Sequence, residues 1–61
     1  MSDLTDLIER LEYAESELRR LALIRFRECD YSAAARLQDK ASGVALARGY
    51  VEETVRQERA S

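Results

Sequence analysis

The side chains best suited to chemistry in this chain lie around position 30. Cys29 is the single cysteine, and Asp30 and Asp39 are two carboxylates within the segment DYSAAARLQDK. A carboxylate pair can carry out general acid–base catalysis where a concave pocket perturbs the pKa of one partner. The chain has no histidine, and its long helical segments indicate no such pocket. We therefore interpret Asp30 as a helix cap and Asp39 as a solvated charge, and we predict no catalytic residues and no enzymatic activity.

Cys29 has two interpretations. Nearby Arg25 and Arg27 could stabilise a thiolate, which would suit a redox switch or a disulfide between subunits. The alternative is a small, partly buried thiol. One thiol without histidine cannot supply a structural zinc site, so we predict no metal and no cofactor. A lone cysteine behind an acidic N-terminus, with no signal-peptide pattern, predicts a cytoplasmic location.

Basic residues are concentrated in the middle of the chain. Residues 1–18 carry six acids and one Arg, residues 19–48 carry seven bases and three acids, and residues 49–61 carry three acids and two bases, so the segments have net charges of −5, +4 and −1. Such a segment could hold phosphates, and the candidate contacts are Arg19, Arg20, Arg27 and Arg36. These contacts would suit an alternative function, that of a nucleic-acid-binding helical bundle similar to Rop. The pI of about 5.0 is low for such a module, and the same charges could instead pair with the acidic half of a second chain.

Two long helices are predicted to position these residues. The absence of Pro and the many Leu, Ala, Glu and Arg residues favour helix throughout. We predict one domain, 1–61, with a helix at about 3–28 capped by Ser2, a turn at 29–31 and a helix at about 32–58. Asp30 is expected to cap the second helix by accepting from the N–H of Ser32 or Ala33, with Ser32 as the alternative cap. Gly43 could end that helix early, but the apolar pattern resumes in phase at Val44 and favours continuity.

Apolar residues at alternating spacings of three and four predict a coiled-coil seam between the two helices. The predicted seam residues are Leu4, Leu7, Leu11, Leu18, Leu21, Leu37, Val44 and Val51. Other apolar residues fall outside this seam, and we assign them to an oligomer or partner interface: Leu23, Phe26, Leu46 and Tyr50. No apolar run is long enough for a membrane span.

A chain of this length buries only about 60% of its unfolded surface, so a lone core is marginal. We therefore predict an all-α antiparallel hairpin that dimerises into a four-helix bundle. The predicted function is a non-enzymatic helical interaction protein, which binds itself or docks on a larger protein as a bacterial or phage regulator or adaptor would.

The segment at the turn resembles the UVR motif, which reads roughly D-F-E-x-A-A-x-L-R-D and occurs in UvrB and UvrC. The matching residues here are Asp30, Tyr31 in place of Phe, Ala34, Ala35, Leu37 and Asp39. Ser32 and Gln38 depart from the pattern, where the motif has Glu and Arg. The resemblance covers about half of the chain and implies an antiparallel helical hairpin that pairs with a second hairpin. It does not carry over a role in repair, because the family's module is usually an appendage of a larger protein.

Overall fold

Two helices joined by a three-residue turn account for residues 3–60, which are the residues described by this computed structural model. Helix α1 spans Asp3–Arg27 and helix α2 spans Tyr31–Ala60. They run antiparallel. Arg19 of α1 donates a hydrogen bond to Gln38 of α2. Glu15, which lies one turn earlier in α1, forms an ion pair with Arg48, which lies farther along α2. The all-α hairpin predicted from the sequence is confirmed. Its extents of 49 × 17 × 10 Å describe a slab about one helix thick. The predicted Ser2 cap lies outside the described residues.

The turn is a Schellman motif that has cysteine where glycine is usual. Cys29 adopts a left-handed backbone with φ of 64°. Its N–H donates to the Phe26 carbonyl at 3.0 Å, and the Asp30 N–H donates to the Arg25 carbonyl at 2.8 Å. These two bonds satisfy carbonyls that the end of α1 would otherwise leave unpaired.

Asp30 ends this motif and also begins α2. Its Oδ1 accepts the Ala33 N–H at 3.2 Å, and its carbonyl accepts the Ala34 N–H at 3.0 Å. The cap predicted at Asp30 is therefore confirmed, and α2 begins at Tyr31, one residue earlier than predicted. Because one residue closes α1 and caps α2, the reversal needs neither glycine nor proline.

Replacing Cys29 by glycine is expected to stabilise the protein by about 1 kcal/mol, because only glycine adopts a left-handed backbone without a steric penalty. Urea unfolding followed by circular dichroism would measure the gain. Cys29→Ser is the matched control, since it removes the thiol but keeps a side chain on the strained backbone. An equal stability of the two variants would show that the backbone strain at this position is negligible.

Helix α2 continues through Gly43 without interruption. A methyl group added at Gly43 or at Gly49 would meet no atom within 4 Å. The hairpin itself therefore requires glycine at neither position, although a glycine inside a helix costs about 1 kcal/mol relative to alanine.

The seam is built around small side chains. On α2 the seam residues are spaced alternately three and four positions apart. All of them are buried or half-buried: Ala34, Leu37, Ala41, Val44, Arg48, Val51 and Val55. On α1 the matching residues are Leu4, Ile8, Leu11, Glu15, Leu18 and Ala22. The fully buried members are the three alanines Ala22, Ala34 and Ala41, which let the two backbones approach closely.

The sequence prediction is wrong for two of the residues assigned to the seam. Leu7 and Leu21 remain 40% and 36% exposed, whereas Ile8 is half-buried and Ala22 is buried. The side of α1 that packs against α2 is therefore not its most apolar side but a neighbouring one that contains Glu15. The physical reason is the facing helix, which presents closely packed alanines near the turn and a cation, Arg48, farther along.

Candidate protein–protein interface

Large apolar side chains are exposed on every side of the hairpin. Within residues 3–60, no side chain larger than alanine is fully buried. The large hydrophobic residues with at least a third of their surface exposed are Leu7, Tyr13, Leu21, Leu23, Ile24, Phe26, Tyr31, Leu46 and Tyr50. Exposed apolar residues are informative where they are contiguous, so the clusters among them are the candidate interaction surfaces.

One of these apolar surfaces is an open groove of about 330 Å³ beside the turn, which we call the turn groove. Its floor is made by the buried Ala22 and Ala34, and the residues that surround it are Leu23, Phe26, Tyr31, Ala35 and Gln38. The rings of Phe26 and Tyr31 meet edge to face, with centroids 5.2 Å apart at 63°. This contact spans the turn and fixes one wall of the groove.

A second apolar surface lies on the side of α2 that faces away from α1. Leu46 and Tyr50 project there and are exposed, because at 100° per residue Leu46 is almost opposite the Leu37, Ala41 and Val44 line. The structure thus divides the four residues predicted for the interface into two surfaces. Leu23 and Phe26 line the turn groove, and Leu46 and Tyr50 form a separate projection.

The four arginines proposed as phosphate contacts do not form one patch. Arg19 donates to Glu15 at 2.9 Å and to Gln38 at 3.0 Å, and Arg20 donates to Glu17 at 2.8 Å. Arg36 lines a different groove, with Leu21, Arg25, Ala33, Leu37 and Lys40. Residues 36 and 38 point about 160° apart on a helix, so Arg36 and Arg19 lie on different faces of the slab.

Short-range hydrogen bonds shift the pKa of three side chains in this part of the hairpin. A hydrogen bond to Glu17 raises the pKa of Arg20, and one to Glu28 raises the pKa of Arg25. A hydrogen bond with the Cys29 side chain raises the pKa of Tyr31. Cys29 itself is exposed, so the thiol is accessible and adjacent to a phenol.

The seam also contains an ion pair that the sequence pattern did not reveal. Arg48 Nη1 lies 3.0 Å from Glu15 Oε1 across the two helices, and Arg48 Nε lies 3.1 Å from Glu52. The Glu15 and Arg48 side chains are only 15% and 30% exposed. Glu15 Oε1 is buried without an aligned hydrogen bond, so the contact with Arg48 is electrostatic attraction rather than a directed bond. The signal in the sequence was Arg48, a charged residue that interrupts the apolar stripe of α2.

Replacing Arg48 by methionine is expected to destabilise the protein by about 1–3 kcal/mol, because the buried Oε1 of Glu15 then loses the cation beside it and only Oε2 keeps a partner, Arg19. Replacing both residues by leucine should restore or exceed the original stability, since apolar packing commonly matches a buried ion pair. Chemical unfolding of the single and double variants gives the comparison. A double variant less stable than Arg48→Met would show that the pair contributes more than its desolvation costs.

Residues 3–60 contain neither a metal-binding cluster nor a membrane-spanning helix. That part of the chain contains no cluster of three or more His, Cys, Asp or Glu side chains able to hold a metal ion. Neither of its helices has an apolar stretch sufficient to cross a bilayer. Comparison with protein family models, curated proteins and solved structures gave no match.

Proposed function

We propose that this chain is a non-enzymatic helical interaction protein whose hairpins self-associate into a four-helix bundle. The observation that carries the proposal is the composition of the hairpin core, where only alanines are fully buried. Alanines bury little apolar area, so the hydrophobic stabilisation of a single hairpin is small. In a four-helix bundle, exposed Leu side chains of the two hairpins would pack into a larger core.

The surface area of the hairpin supports the same proposal. The accessible surface is 4779 Å² for a chain of 7.0 kDa, whereas a monomeric protein of that mass typically exposes about 4,000 Å². The excess is close to the roughly 800 Å² that each partner buries in a standard interface. Pairing two hairpins would return the area per chain to the usual range.

The resemblance to the UVR motif agrees with this proposal, because that module is itself a hairpin that pairs with a second hairpin. The same apolar surfaces would also suit a helical segment of a larger protein, as expected of a regulator or adaptor. Self-association is the form we favour, since residues 16–43, which form the turn half of the hairpin, are net basic and the rest of the chain is net acidic, so that two copies can pair opposite charges.

The test is the mass in solution by light scattering over a dilution series, with circular dichroism on the same samples. We expect twice the chain mass and a high helical content down to the low micromolar range. A monomer that stays helical on dilution would contradict the proposal. A chain that is monomeric and lacks helicity at every concentration would also contradict self-association and would point to a larger partner, to be sought by pull-down.

A further inference from the structure

We propose, building on the self-association above, that a second copy of this chain covers one broad face of the hairpin, with its turn at the opposite end of the bundle. We call this face the leucine face, and its residues are Leu7, Ala14 and Leu21 on α1 and Leu37, Val44 and Val51 on α2. None of the six is buried in the hairpin, and Leu7 and Leu21 are 40% and 36% exposed. The inference rests on the shared spacing of the two rows and on the distribution of charge.

The two rows lie on the same broad side of the hairpin. Leu21 and Leu37 line one groove, whereas Leu23 lines the turn groove. Residues 21 and 23 point about 160° apart on a helix, so these two grooves lie on opposite broad faces. Steps of seven residues keep the rest of each row on nearly the same side, with a drift of about 20° per step. Leu7 and Leu21 are thus apolar side chains that the seam does not use, and they face a space that a second pair of helices would fill.

The rows also share one centre. Leu21 and Leu37 lie together beside the turn, and in either helix each step of seven residues moves about 10 Å towards the open end. Three layers result, at the turn end, the middle and the open end: Leu21 with Leu37, Ala14 with Val44, and Leu7 with Val51. A two-fold axis through the middle layer, perpendicular to the helices, places the turn-end layer of one copy over the open-end layer of the other. Both outer layers of the bundle then combine three leucines with one valine, and the small side chains of the middle layer let the hairpins approach closely.

Two hairpins that pack through their leucine faces form a four-helix bundle. Each α1 lies antiparallel to the α1 of the second copy and each α2 to its α2, so every helix has two neighbours. The turn groove and the projection of Leu46 and Tyr50 lie outside this contact. The occupant of the leucine face is a second copy, because the same rows on that copy supply the matching layers.

Charge selects between the two orientations in which these layers align. Residues 16–43 carry six bases and four acids, and residues 1–15 and 44–61 together carry four bases and eight acids, so the turn half has a net charge of +2 and the open half −4. Turns at the same end would place like-charged halves against each other, whereas turns at opposite ends pair opposite charges. Arg25, which lines the groove beside Leu21, then comes level with Asp3 of the second copy, since both lie eleven residues from Ala14.

Cross-linking at the axis tests the contact, in a Cys29→Ser background. Ala14→Cys should form a disulfide-linked dimer under mild oxidation with oxidised glutathione at least ~10-fold faster than Ser16→Cys, because the axis brings the two copies of position 14 within disulfide reach. Ser16 is the matched control, since it is exposed at the same level of α1 but points about 160° away, towards the other broad face. A dimer in light scattering that links as fast at position 16 as at position 14 would overturn the leucine face but leave self-association standing. A monomer in light scattering would overturn both.

A mixture of Ala14→Cys and Val44→Cys chains in the same background tests the orientation. With the turns at opposite ends, each position faces its own counterpart, so mass spectrometry should find dimers linked from 14 to 14 and from 44 to 44. With the turns at the same end, position 14 would face position 44 of the second copy. A predominant link between positions 14 and 44 would therefore overturn the proposed orientation.

Discussion

Replacing Leu7 and Leu21 together by serine is expected to weaken self-association by at least about a thousand-fold. The two side chains are 40% and 36% exposed in the hairpin, and in the proposed dimer a second copy covers them. Burial of each against a partner contributes about 1–2 kcal/mol, and a two-fold dimer contains each contact twice. The total of about 4–8 kcal/mol has a lower bound that corresponds to a thousand-fold change in Kd. Sedimentation equilibrium or light scattering over a dilution series would measure it.

The chain supplies its own control for this prediction. Leu23 is 49% exposed but lines the turn groove, on the opposite broad face of the hairpin from Leu21. Leu21→Ser and Leu23→Ser are chemically identical changes at neighbouring positions of one helix. We expect Leu21→Ser to weaken association by about ten-fold or more and Leu23→Ser to change it little. If the two variants behave alike, the leucine face is not the interface.

Replacing Ala41 by glutamate is expected to unfold the hairpin. Ala41 is fully buried in the seam, and a carboxylate there would have to be desolvated without a partner or would force the helices apart. A cost of about 3–5 kcal/mol is typical of an unpaired buried charge and is comparable to the whole stability expected of a domain this small. Loss of the helical circular dichroism signal at 25 °C would show the effect.

Ala35→Glu is the matched control, because it makes the same change at an exposed position of the same helix, outside the leucine face. Surface substitutions of this kind usually stay within about 0.5 kcal/mol, so helicity and association should be retained. A folded Ala41→Glu variant that still associates would mean that the two helices do not pack through the Ala22, Ala34 and Ala41 line.

The sequence alone determined the local features of this protein. Two helices, the reversal near position 30 and the cap at Asp30 follow from helix propensity, apolar periodicity and capping chemistry, which depend on residues within a few positions of one another. The α2 stripe of Leu37, Val44 and Val51 also follows, because no competing apolar line runs along that side of the helix.

The line of α1 that enters the seam depends on the helix that faces it. The predicted stripe and the observed one share Leu4, Leu11 and Leu18, but the observed one has Ile8 in place of Leu7 and Ala22 in place of Leu21. Hydrophobic periodicity favours the line through Leu7 and Leu21, because it contains no charged residue, whereas the line through Ile8 and Ala22 contains Glu15. The facing helix selects differently, because its alanines favour the close approach that Ala22 permits and its Arg48 attracts Glu15. The partner surface of a helix, rather than its own composition, thus determines which of two neighbouring lines is buried.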